Sequence, residues 1–224
     1  MSLSDTAAPS DPTTRLPRAR LWAEFTALFI GVPILMAVFF GHYPLFGAIL
    51  ALTGVAAMLL AGTPGFRWAE LRRLPGRGAL LPGLGLVVLT AAACLAVASW
   101  LVPERVLEFP RNRPHLWAMV MIAYPFASAL PQELIYRPLF FRRYGALFGT
   151  PAIACMVNAL AFGLGHLFYM NPVTIGLTVL AGWVFALAYL RYGFIAAVLL
   201  HAVAGQIVFT SGLGLYFYHG AVGH

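Results

Sequence analysis

Glu133, His166 and His201 are the residues of this chain whose types and setting best suit catalysis. Each lies inside an otherwise apolar run. An ionisable group there costs a few kcal/mol unless it is paired, so function is its default reading. A carboxylate and two imidazoles converging in a dry site have two chemical uses. The first is general-base activation of water, in which the carboxylate takes the proton and an imidazole orients the water or shuttles its proton. The other imidazole, with a neighbouring amide, then donates to a tetrahedral oxyanion. The second use is a two-histidine, one-carboxylate zinc site. The helical HExxH signal is absent. Arg137, four residues after Glu133, offers it an ion pair on one helical face. Asn158 is a further polar residue in a later apolar run.

The elements that must position these residues follow from composition. Of 224 residues, 61% are hydrophobic and 9% charged. A soluble domain averages about 25% charged residues, so the chain reads as a polytopic membrane protein in a lipid bilayer. Seven hydrophobic segments are expected, at Trp22–Phe40, Tyr43–Ala61, Ala79–Val102, Leu116–Tyr136, Pro151–Tyr169, Val173–Leu190 and Phe194–Phe217. Each is near the roughly 20 residues that cross the hydrocarbon, and lipid requires each to satisfy its own backbone. The runs lack the alternating polarity of barrel strands. The fold class is therefore all-α, a bundle of about seven transmembrane helices. Residues 1–20 are polar and read as a disordered tail, and 21–224 as a single transmembrane domain. A short interfacial helix is expected within Phe66–Arg77.

All the basic residues are arginines. With the amino terminus in the cytoplasm, eleven of them fall in inner segments and three in outer ones, the bias of a cytoplasmic amino terminus and an external carboxyl terminus. The net charge of +7 thus reflects topology. No basic stretch is interleaved with aromatics as a nucleic-acid groove requires. Cys94 and Cys155 have no metal or disulfide spacing. No internal repeat of the transporter kind is present.

Depth arithmetic joins the elements to the chemistry. A hairpin of the fourth and fifth spans, with its tip at Gly149–Thr150, sets Glu133 and His166 at one level. With Arg142 and Arg143 at the inner interface, Glu133 lies roughly 13 Å deep at 1.5 Å per residue, and His201 roughly 12 Å beyond the Gly193 turn. Straight helices are assumed, although Pro125 and Pro131 interrupt the fourth.

The motifs then resemble a known family. Gln132-Glu133-Leu134-Ile135-Tyr136-Arg137 resembles the Glu-Glu-x-x-x-Arg motif of the CAAX-protease and bacteriocin-processing (CPBP, or Abi) family. Phe162-Gly163-Leu164-Gly165-His166 is similar to its Phe-x-x-x-His motif, and His201-Ala202-Val203-Ala204-Gly205-Gln206 to its His-x-x-x-Asn motif. The resemblance covers about residues 115–217. It implies a glutamate-type intramembrane endopeptidase, in which the first Glu of the pair and the second-motif His activate water while the third-motif His and Asn form the oxyanion site. Gln132 stands where the first Glu is expected and Gly205 where the Asn is. An amide is no general base, so Glu133 is left with that role, and Gln206 or Asn158 with the missing amide. The implied partner is a membrane-associated peptide or protein tail, and no cofactor is expected outside the zinc alternative. The same substitutions leave open a non-catalytic scaffold or bacteriocin self-immunity protein of the same fold. The arginine-only basic set and Ala/Leu richness suit a bacterial inner membrane.

Overall fold

The computed structural model describes residues 16–39 and 45–217. It is helical, with no strand among these residues. Among the described residues, six helices are long and apolar enough to cross a membrane: α1 (Arg18–Phe39), α3 (Arg77–Leu101), α4 (Pro114–Phe148), α5 (Pro151–Tyr169), α6 (Pro172–Tyr192) and α7 (Phe194–Ser211). The shorter apolar helix α2 (Leu45–Ala61) makes the seventh expected segment. The expected tail, residues 1–20, lies mostly outside the described residues; α1 already begins at Arg18.

Many large apolar side chains point outward, among them Leu35, Leu50, Leu89, Trp100, Ile122 and Leu199. In water such a surface would aggregate, whereas lipid tails are as apolar as leucine. α3 is the most peripheral helix, burying only Cys94 and Ala98, against α7 and Leu213. The main core gathers aromatic rings from α1, α4, α5 and α6, with Phe25, Phe29, Phe140, Tyr144, Phe162 and Phe185 all buried.

Local chemistry sets the joints. The Thr150 hydroxyl accepts from the Ile153 N–H, and Pro151 fills the first helical position of α5. The Asn171 side-chain oxygen accepts from the Val173 and Thr174 N–H groups around Pro172, starting α6 in the same way. Gly193 joins α6 to α7 at φ 91°, a left-handed conformation that glycine alone adopts without cost.

Three expectations change. α4 runs on to Phe148 instead of ending near Tyr136. Its prolines do not simply kink it; wide π-helical turns span Pro125–Ala129 and Ile135–Tyr144, the second enclosing Pro138. Such turns, with i→i+5 bonds, absorb the donor that proline lacks. α7 stops at Ser211, and a 3-10 segment, Leu213–Phe217, follows Gly212. The short helix expected within Phe66–Arg77 is present as the 3-10 segment Trp68–Arg72. Arg143 is buried, its side chain 2% exposed. It binds Glu24 through Nε (2.7 Å) and Nη2 (3.0 Å), and donates from Nη1 to the Leu59 carbonyl and the Thr63 hydroxyl, both at 3.1 Å. This clamp ties α1, α2 and α4 together.

Candidate active site

α4 carries Glu133 in the turn Leu130–Leu134, between its two π-helical stretches, where the carboxylate is fully buried. Arg137 lies on the same face, also fully buried, and donates Nε to Oε2 at 2.8 Å and Nη2 to Oε1 at 3.3 Å. Asn158 of α5 accepts from Arg137 Nη1 and donates to the Tyr136 carbonyl at 2.6 Å. The guanidinium lies 5.2 Å from the Phe162 ring and 5.9 Å from Phe185, a desolvated setting in which aromatic faces favour a cation. His201 of α7 donates Nδ1–H to Glu133 Oε1 at 2.9 Å, and its ring stacks on Phe185. An ionised carboxylate only accepts, so Nδ1 carries a proton, and the second ring nitrogen, Nε2, is turned away from the carboxylate. The Tyr124 hydroxyl meets that nitrogen at 3.1 Å.

His166 stands apart from this network. It follows the end of α5 with φ −105° and ψ 7°, the bridge region in which active-site residues often sit. Its Nδ1 lies 2.8 Å from the Phe162 carbonyl. A carbonyl only accepts, so Nδ1 carries the proton and Nε2 is the basic nitrogen. The Phe162 ring contacts both imidazoles, at 4.8 Å from His166 and 5.5 Å from His201. The shared layer is thus offset by about one turn. Asn158 pairs with Tyr136 and Arg137, which sets Glu133 near Phe162 and leaves His166 farther along. The cause is the π-helical stretch after Glu133, which rises less per residue than the straight α-helix assumed.

A cavity of about 90 Å³ opens beside His166, with room for several waters. Its apolar wall comes from α1 and α2, including Val32, Met36 and Leu52, and its polar edge from Ser128, Gln132, Tyr136 and His166. Glu133 and His201 do not line it. The direct proton abstraction expected of Glu133 therefore meets a carboxylate whose two oxygens are already bonded. Gln132, at the position of the family's first Glu, does face the cavity, with Nε2 donating to the Ser128 hydroxyl at 2.8 Å. Gln206 is elsewhere, donating to the Met121 carbonyl at 2.7 Å. Among the described residues, no three His, Cys, Asp or Glu side chains gather as metal ligands.

Sequence reading missed Tyr124, Ser128 and Tyr136 as site residues. Their signal was present: with Gln132 they recur every four residues, a polar stripe along one face of an apolar helix.

The fold and site define a multi-pass membrane protein with a largely apolar cavity backed by a buried carboxylate, imidazole and guanidinium. Residues 114–206 match the family model described as Rce1-like, the type II CAAX prenyl endopeptidase Rce1-like family. The helical core is thus similar to CAAX-type membrane proteases, as the three motifs implied. No curated protein and no solved structure matches the chain.

Proposed function

We propose that this protein is an intramembrane endopeptidase that hydrolyses a peptide bond of a membrane-associated peptide or protein tail. The observation that supports it best is the cavity whose polar edge carries the basic nitrogen of His166, set inside apolar helices that match a protease family. In this reading a water in the cavity gives its proton to His166 Nε2. The hydroxide adds to the scissile carbonyl, and His166 returns the proton to the leaving amine. Glu133 acts from behind the cavity: its charge, held by Arg137 and Asn158, binds the Nδ1–H of His201. The substrate is a flexible tail or a locally unwound helix, because a regular helix has no backbone groups free to enter. The arginine bias supports a cytoplasmic amino terminus, and the arginine-only basic set and Ala/Leu richness suit a bacterial inner membrane.

One observation favours a second reading. No carboxylate is among the residues lining the cavity, which suits a scaffold or self-immunity protein that holds a peptide without cutting it. Purified protein in detergent with a fluorogenic peptide library separates the two. Cleavage that falls on the order of 10²-fold or more in His166→Ala and in Glu133→Gln supports the protease. Binding without cleavage supports the scaffold.

A further inference from the structure

Hydrolysis through a tetrahedral intermediate needs a hydrogen-bond donor where the carbonyl oxygen gains charge. The family resemblance assigns that donor to the third motif, and in this chain the third motif does not reach the cavity. Gly205 has no side chain, and the Tyr124 ring fills the space where its Cβ would stand. Gln206 donates to the Met121 carbonyl, and His201 does not line the cavity.

Tyr136 carries a donor that nothing in the protein uses. The residue is 9% exposed and lines the cavity. Its hydroxyl has no hydrogen-bond partner among the described residues. Among those same residues, no fully enclosed side-chain nitrogen or oxygen lacks a partner, so this hydroxyl opens into the cavity and is not sealed in the core. A phenol so placed donates to whatever acceptor enters. The side chain is held firmly. The Tyr136 backbone carbonyl accepts from Asn158 at 2.6 Å, and the ring packs edge-on against Phe29 at 5.6 Å and Phe162 at 5.0 Å. The hydroxyl rests over Gly165, where a Cβ would overlap it. That glycine lets the donor sit against the residue next to His166. Two other polar groups on the same edge, Ser128 and Gln132, are bonded to each other at 2.8 Å.

We propose that the Tyr136 hydroxyl donates to the carbonyl oxygen of the peptide bond under attack and stabilises the oxyanion that forms there. The water oxygen bonds to the carbonyl carbon as its proton passes to His166 Nε2. An electron pair of the C=O bond moves onto oxygen, where the Tyr136 O–H binds it and keeps its own proton. The C=O bond then re-forms, the C–N bond breaks, and the amine leaves with the proton from His166. Tyr136 is thus a catalytic residue at one of the unspecified positions of the first motif, between Glu133 and Arg137. The kinetic part rests on the protease reading above, while the contact between hydroxyl and peptide carbonyl does not.

The test is Tyr136→Phe in the full chain in detergent. It keeps the ring and breaks no hydrogen bond within the described residues. The value of kcat should fall about 10²–10³-fold, as for the loss of one oxyanion donor, with KM within about threefold, because the bond strengthens as charge develops. A second readout needs no turnover. In carbon-13 tyrosine-labelled protein, the Tyr136 Cζ signal is assigned by its loss in Tyr136→Phe. It should shift when a ketone analogue of the cleaved peptide binds, with a methylene in place of the scissile N–H. A kcat in Tyr136→Phe within about threefold of the wild type, a loss carried by KM alone, or a Cζ signal unmoved by the bound analogue overturns the proposal. If the wild type cleaves no peptide, the protease reading fails, and the Cζ signal in the presence of a bound library peptide still decides the contact: a shift supports it and no shift overturns it.

Discussion

Arg137→Met removes the cation that neutralises Glu133 but keeps a long side chain in its place. Glu133 then loses its bonds at 2.8 and 3.3 Å, and the Asn158 carbonyl loses its donor. Both charged side chains are fully buried, so no water replaces what is lost. Removing one partner of a buried pair costs about 3–5 kcal/mol, because the remaining charge stays uncompensated. In a chain of this size each kcal/mol shifts the melting temperature by about 2–4 °C. Arg137→Met should therefore melt about 6–20 °C below the wild type in detergent. Adding Glu133→Leu removes the orphaned charge. What then stays unpaired is neutral, namely the His201 Nδ1–H and the Asn158 carbonyl, at about 1–3 kcal/mol. The double variant should melt above the single one although it has lost more polar contacts. Thermal denaturation of the three proteins in one detergent decides the matter. A double variant that melts at or below Arg137→Met would refute the idea that charge compensation holds this site together.

Further tests reach other parts of the molecule. Glu24→Gln keeps the shape of the α1 clamp but removes the charge facing Arg143. It should cost about 1.5–3 kcal/mol, read as a lower melting temperature with little change in any residual activity. Gly205→Ala drives a Cβ into the Tyr124 ring and should cost about 1–3 kcal/mol by overpacking. Gln132→Glu should leave hydrolysis within about tenfold of the wild type or raise it, since a cavity carboxylate accepts as the amide carbonyl does; a larger loss would show that the amide N–H is indispensable. Cysteine labelling of intact cells should modify the carboxyl terminus near His224 and spare the amino-terminal tail, and the reverse pattern would invert the topology.

The sequence revealed much of the fold because membrane spans declare themselves through length and apolarity. The Glu133–Arg137 pair was equally legible, since an i,i+4 spacing fixes which side chains meet on a helix. Asn158 was visible only as an isolated polar residue; its bridge to Arg137 needs the register of the α4–α5 hairpin. That register defeated the depth arithmetic, because the π-helical stretch Ile135–Tyr144 gives no signature beyond its proline. The Glu24–Arg143 clamp joins residues 119 positions apart, and no local pattern pairs them. Tyr124 was hidden for a similar reason: its partner is His201, on another helix. The third motif's Gly205 looked like a missing amide, and became intelligible once the tyrosine was seen in the space it leaves.

The most direct test of the central claim is hydrolysis in water enriched in oxygen-18, with the new carboxyl terminus read by mass spectrometry. Activated-water chemistry should place one heavy oxygen in the product carboxylate of the wild type, with product formation falling on the order of 10²-fold or more in His166→Ala. A purified, folded protein that yields no product from a diverse peptide library, or one whose cleavage is unchanged in His166→Ala, would contradict it.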